Sequence, residues 1–485
     1  MKMNSMQAPM VAGSIVAFIA AAAFAAPDPI GPDCVNSSMN DIARHGTNAA
    51  GTMVGFSSGS VTCNRGDAPM AASPNASIRP LVGMNLYKFT DNGPYSRMEQ
   101  LGQGWAKWVG VPVNGTNASC GPTCVGGGAG TMGVNCADVY SSGFNGPSGM
   151  CPRSKINATL GTFTGTRGGG TDETNINTRV QVPAADLATS IGTVRYFFET
   201  IDFLPDDAQH VRPSKTVAVN AMNNATTQEL TIASASAMPT MTGTATIGLS
   251  AIERWPQLDP TVVLVAADHD DTPNPHPSFP GTFIKSRFWV AGCATPLAGG
   301  LFRYEFAVFN LNSDRGCGSI SMSLPAGASM TDTFFRHPRS HSGEAYSNAA
   351  WTFTRTGNTL TISTDTFATN ANANAIRWGT LYNIGFTSNA VPGSGSVSLG
   401  LFKPGTLASI SAPGMPVPGS IACPADVDGN AGVDVSDLLL YVERFEDGTV
   451  LADLDSDGDG ATGTPDGGVD VNDLLFYLIR FEGGC

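Results

Sequence analysis

The feature that most constrains this chain is an internal duplication at its end. VDVSDLLLYVERFEDG, with Asp437, Tyr441, Arg444 and Phe445, matches VDVNDLLFYLIRFEGG, with Asp473, Tyr477, Arg480 and Phe481, at a period of 36 residues. A repeat of that length is one supersecondary unit copied, and it governs how the local motifs are read. In the first copy Leu438, Tyr441, Val442 and Phe445 recur at helical spacing, and in the second Leu474, Tyr477, Leu478 and Phe481 do the same. Each copy therefore predicts a short amphipathic helix. Neither helix can bury its apolar face alone, so the two are expected to pack together, with Cys423 and Cys485 clasping the ends.

The charge distribution points the same way. Residues 423–485 carry 15 acidic side chains and two arginines, whereas the rest of the chain has 25 acidic and 24 basic residues. A nearly neutral body argues against a nucleic-acid or anionic-membrane partner. The tail calls for cations. Its first loop places Asp426, Asp428, Asn430, Gly432, Asp434 and Asp437 at positions 1, 3, 5, 7, 9 and 12 of a 12-residue loop. That spacing wraps hard oxygens around calcium, with position 7 using its backbone carbonyl. Two positions depart from the usual loop: Ala431 stands at position 6, where glycine is usual, and Asp437 stands in place of glutamate at position 12. In the second loop Asp453, Asp455 and Asp457 open and Asp470 and Asp473 close, but 20 positions separate its ends against 11 in the first. About nine residues are inserted, and Asp459 or Asp466 could replace one opening ligand. Calcium is the expected cofactor. A unit of ~60 residues has a marginal core, so metal and disulfide are its expected stabilisers.

On these residues the tail resembles a dockerin, a pair of calcium loop–helix repeats. The opening CPAD, the segment PDGGVDVND and the terminal Gly484-Cys485 resemble, more narrowly, the bacterial GC-type dockerin domain-anchored proteins. Stretches of the body such as CADVYSSGFNGPSGMCPRSKINA, RYFFETIDFLPDDA, YEFAVFNLNSDRG, HSGEAY and RWGTLYNIGF are similar to exported β proteins that carry this tail. The resemblance implies attachment or display at a cell surface or in an extracellular matrix, through a cohesin-like or cell-surface anchoring partner. Dockerins meet cohesins through loop positions 10 and 11. Here those positions are Val435-Ser436 and Val471-Asn472, not the usual Ser-Thr pair.

The other end fits export. Lys2, an apolar run from Val11 and Ala23-Phe24-Ala25 read as a signal peptide over residues 1–25, cleaved after Ala25. A secreted or cell-surface location follows, and no later segment has the length to cross a bilayer as a helix. In that setting Cys34, Cys63, Cys120, Cys124, Cys136, Cys151, Cys293, Cys317, Cys423 and Cys485 are all candidate disulfide partners.

Charged residues are only 14% of the chain and there are 57 glycines, which favours turn-rich β structure. The expected fold is mainly β: two β-rich, sandwich-like domains followed by a small α-helical calcium-binding module. The first, disulfide-containing domain spans 26–235 and the second 236–403. Residues 404–422, small, uncharged and proline-containing, read as an extended linker before the tail at 423. VRYFFETIDFL, ended by Pro205, is the clearest strand. TVVLVAAD is a second. Phe302, Tyr304, Phe306 and Val308 alternate with Arg303 and Glu305, the period of a half-buried strand. WTFTRTGNTLTIS reads as a hairpin, and SVSLGLF repeats the alternation. Cys293 and Cys317 flank the Leu301 strand and are expected to pin it. Met98, Leu101, Trp105 and Trp108, at near-helical spacing, predict one short helix.

Signs of catalysis are sparse. Gly128-Ala129-Gly130-Thr131-Met132-Gly133 is a formal GxGxxG, but it lies between Cys124 and Cys136 and reads as a disulfide-stapled loop. Asp268, His269, Asp270, Asp271 and His276 could hold a metal, and His337, His341 and Glu344 could form an acid–base or metal cluster; polar loops are the favoured reading of both. The expected function is therefore a non-catalytic exported protein displayed through its tail. A tethered carbohydrate-active hydrolase, or a glycan-binding protein without catalysis, is the alternative.

Overall fold

Strands whose two faces both carry apolar side chains need cover on both sides, and the body supplies it as stacked sheets. The computed structural model describes residues 31–485 except 74–77, 92, 110–113, 147–148, 165–175, 188–192, 213–216, 271–282, 422, 430–431, 456–462, 464 and 484–485. The signal-peptide segment thus lies outside the described residues. The chain is mainly β, with helices at its C-terminal end. Its centre is a five-stranded sheet in the order Val263–His269, Ser286–Leu297, Leu301–Asn310, Thr380–Ser388, Thr331–Arg336. One face packs Val290, Tyr304, Phe306, Val308, Ile384 and Phe386 against Ile320, Ile362, Val397 and Leu399 of a second five-stranded sheet. This is the expected sandwich.

The opposite face is buried too. Ala291, Cys293, Ala307, Phe309 and Leu381 pack against Tyr87, Phe89, Met98, Phe197, Ile201 and Phe203 of an eleven-stranded sheet built by the N-terminal part of the chain. Residues on either side of position 235 thus share one core. In that sheet Thr193–Phe203 pairs along its whole length with Leu81–Asp91. The Leu301 strand is therefore not half-buried as its alternation predicts. Glu305 is 0% and Arg303 5% exposed, because the N-terminal sheet brings Arg97 to them: Arg97 Nη2 and Nε lie 2.7 and 2.8 Å from the Glu305 carboxylate, and Arg303 Nε 2.7 Å. A polar face opposite a second sheet has the same sequence pattern as a polar face opposite water.

Three further expectations are corrected. Met98, Leu101, Trp105 and Trp108 form no helix: Ser96–Gln103 and Ala106–Trp108 are strands. The pairing with Leu81–Asp91 jumps from Gln100 to Gly102, so Leu101 is an extra residue. That bulge shifts the two-residue alternation into an apparent helical spacing. Residues 404–422 are not a linker, since Ser409–Ile421 is a strand paired from end to end with Ala390–Leu401. Pro413, Pro416 and Pro418 are tolerated because it is an edge strand of its sheet. Finally, Cys34, Cys151, Cys293 and Cys317 are buried thiols, not disulfides. Cys293 faces the core shared with the N-terminal sheet and Cys317 the sandwich core, so the central sheet stands between them. The described disulfides are Cys63–Cys120 and Cys124–Cys136. The second staples the glycine-rich loop, as expected. Cys423 is also disulfide-bonded, while Cys485, its expected partner, lies outside the described residues.

Candidate metal centre

The tail helices form where the repeat predicts them, at Val435–Glu446 and Val471–Gly483. Tyr441 and Tyr477, equivalent in the repeat, stack ring on ring with centroids 3.8 Å apart and planes within 3°. Ala425, Ala452, Leu454 and Phe476 complete the small core around them. Packing the two helices through one symmetric ring pair holds the loops that precede them side by side.

Within the first loop, one ligand atom each from Asp426, Asp428 and Asp437 falls within 4.8 Å of the others, the one such convergence among the described residues. The backbone sets up Asp437. Val427 and Asp428 donate their N–H groups to its Oδ1 at 2.7 and 3.0 Å, and Asp434 donates to Oδ2 at 2.9 Å. Burial alone would push this carboxyl up; the N–H groups of Asp428, Asp434 and Val427 outweigh it and hold it below the usual range. Asp434 in turn caps the helix by accepting from Ser436 N at 2.7 Å. Gly429 has φ +76° and makes the turn that brings the opening acids back. Asn430 lies outside the described residues.

The second loop repeats this cage. Asp473 Oδ1 accepts from Leu454 N at 2.5 Å and Asp455 N at 2.8 Å, and Oδ2 accepts from Asp470 N at 2.7 Å. The opening acid, Asp453, accepts from Asp466 N at 3.1 Å and Gly467 N at 2.9 Å. Counting back from Asp473 as position 12, Asp466 and Gly467 are positions 5 and 6. The regular count therefore resumes at Asp466, whose N–H and that of Gly467 return to the opening acid Asp453. Gly467 has φ +92° and supplies the position-6 glycine that the first loop lacks. Asp457 and Asp459 lie outside the described residues. The three converging carboxylates of the first loop could hold a hard divalent cation.

Among the described residues the body assembles no comparable group. His341 is 1% exposed and lies with Nδ1 on the Ser342 carbonyl and Nε2 3.1 Å from the Arg179 carbonyl; its ring packs 5.5 Å from Trp105. Burial lowers its pKa to about 4. Glu344 Oε1 instead accepts from Arg153 N at 2.6 Å. His337 Nδ1 lies 3.0 Å from the Pro338 carbonyl. His341 and Glu344 fasten their segment to Arg179 and Arg153, His337 bonds within its own segment, and the three do not converge on a metal. A polar cleft of about 520 Å³ borders them, lined by Asn48, Gln181, Arg339 and Glu344 among others. Glu344 is the one carboxylate among the described residues of that lining. His269 bonds to Ser313 Oγ at 2.8 Å, and Asp268 is paired with Arg287 at 2.7 Å. Asp271 and His276 lie outside the described residues.

No family model and no curated protein matches the chain. Among solved structures, the serine-rich repeat adhesion glycoprotein Srr1 of Streptococcus agalactiae overlaps 78% of this chain and 94% of its own. The identity is 9% and the TM-score 0.18. A superposition of that quality carries no argument about activity. The described disulfides fit an oxidising, extracytoplasmic compartment. Among the described residues no helix is long and apolar enough to cross a membrane.

Proposed function

We propose that this is an exported, non-catalytic display protein, held in place by a calcium-binding, dockerin-like tail over residues 423–485. The observation that carries this reading is the twice-built cage: Asp437 and Asp473 each face three backbone N–H groups at the start of a helix, with the opening acids of the same loop beside them. Calcium in the first loop takes Asp426, Asp428, Asn430, the Gly432 carbonyl, Asp434 and Asp437. In the second it takes Asp453, Asp455, Asp466 in place of Asp457, Asp470 and Asp473. The attachment partner meets an apolar stripe that the repeat presents twice: Val435 and Leu439 are 64% and 66% exposed, and Val471, Leu475 and Ile479 are 61%, 47% and 50% exposed. A cohesin-like receptor with an apolar face fits that stripe.

The test is calcium titration of the full chain, followed by calorimetry and by near-ultraviolet circular dichroism of the Tyr441–Tyr477 pair. Two binding events, lost one at a time in Asp437→Ala and Asp473→Ala, are expected. Wild-type protein that takes up no calcium and shows no spectral response to EGTA overturns the proposal.

A further inference from the structure

The tail follows the body without a spacer. Ile421 is still paired with Ala390, and Cys423 opens the tail two residues later. The module also touches the body a second time. The hairpin joining Ser286–Leu297 to Leu301–Asn310 turns through Ala298–Gly300, and this turn contacts the tail's Val450–Ala452 turn. Pro465 lies directly over Gly299: a Cβ built on Gly299 would stand 2.9 Å from Pro465 Cδ and closer still to Cγ. The neighbouring Gly463 leans the other way, with an added Cβ 2.6 Å from Phe476 Cζ in the tail's own core.

The two contact points are not placed at random in the tail. Ala452 immediately precedes Asp453, and Pro465 immediately precedes Asp466. These are the two residues joined by the 3.1 Å hydrogen bond that closes the second loop. The body therefore grips both halves of that closure from outside. We infer that the Ala298–Gly300 turn is a seat for the second loop, and that seating the tail on the body and closing the loop around a divalent cation are one linked event. The linkage rests on the calcium reading above; the seat does not. Linkage of this kind is reciprocal: whatever unseats the tail weakens the second site, and calcium tightens the seat.

Two adjacent glycines supply an internal control. Gly299 and Gly300 both have positive φ, +70° and +66°, so alanine strains the turn at either position. Only at Gly299 does the new methyl meet Pro465; at Gly300 nothing lies within 4 Å. The experiment compares full-length Gly299→Ala, Gly300→Ala and wild type by calcium calorimetry and by small-angle X-ray scattering. Gly299→Ala is expected to weaken the second calcium event about fivefold, the low end of ordinary coupling between sites, and to raise the radius of gyration. Gly300→Ala is expected to do neither. Equal behaviour of the two variants in both measurements overturns the seat. A scattering change in Gly299→Ala with unchanged calcium affinity overturns the linkage and leaves the seat standing. If wild type binds no calcium, the linkage fails with the calcium reading, and the scattering comparison alone decides the seat.

Discussion

In the body, Glu305 lies wholly buried between Arg97 and Arg303; in the tail, Asp437 is equally buried and faces three backbone N–H groups. The body neutralises its buried acids from within. Glu305 has its arginines, and Glu199 accepts from Asn85, Tyr87 and Ala251 N beside the buried Arg153. Even so, burial pushes Glu199 up to about 7, and it pushes Asp202 up to about 8. These two acids are held in the fold partly as protonated groups. The tail does the reverse, keeping Asp437 ionised with backbone dipoles and leaving charge for a cation to balance. One residue class thus serves cohesion in one region and, on the calcium reading proposed above, recruitment in the other, and the difference is set by which partner the backbone delivers.

The sharpest way to break this comparison is to remove Glu305. Glu305→Ala strands two arginines in the body and is expected to lower its unfolding free energy by about 3–5 kcal/mol, read by chemical denaturation, while the tail's calcium response is unchanged. Next is Asp437→Ala. Losing the acceptor of three N–H groups should cost the tail about 2–3 kcal/mol and leave the body's transition in place. If the body transition moves as far as the tail's, the first loop's buried acid is not independent of the body's.

The pH dependence sharpens the contrast because its sign differs. Glu199 and Asp202 have folded pKa values above those of the unfolded chain, so the fold holds protons that the unfolded chain releases. Their contribution is complete below about pH 4 and is lost as pH rises towards about 7 to 8, at about 1.4 kcal/mol per pH unit for each such group. Asp202→Asn should flatten that slope and raise the body's stability at pH 8 by about 1–2 kcal/mol. In EGTA, the tail should instead lose stability as pH falls, because Asp437 is held below its ordinary value. A body whose melting temperature does not fall between pH 4 and 8 removes the protonated-acid half of the comparison. The smallest expected effect on folding is at the exposed stripe. Leu439→Glu should change stability by less than about 0.5 kcal/mol while abolishing capture of the full chain by the cohesin-like receptor proposed above.

Much of the fold was legible where a single period dominated. Thr193–Phe203, Val263–His269 and the Thr352–Thr356 and Thr359–Ser363 hairpin fall where alternation and turn residues put them. The tail helices were legible for the same reason, doubled by the repeat. Legibility failed where a tertiary partner replaces water. Arg303 and Glu305 read as a solvent face because nothing local announces Arg97, some 200 positions earlier in the chain. Pro413, Pro416 and Pro418 read as a spacer because the edge position that tolerates them is a property of the sheet. In the tail, the grouping of Asp426, Asp428 and Asp437 was legible from spacing, but the return of the Asp466 and Gly467 N–H groups to Asp453 was not, because an insertion hides it from counting.

The strand Ser409–Ile421 has a mechanical meaning. A protein tethered through its tail transmits any pull on the tether into the first body element it meets. Here that element is not slack chain but a strand hydrogen-bonded along its length to Ala390–Leu401. A tug along the strand axis loads these bonds together, in shear, and the hairpin turn beyond them returns the force to the sandwich. If the tail is the tether proposed above, the tether point is built into the wall of the body, and the load it bears is spread before it reaches any single bond.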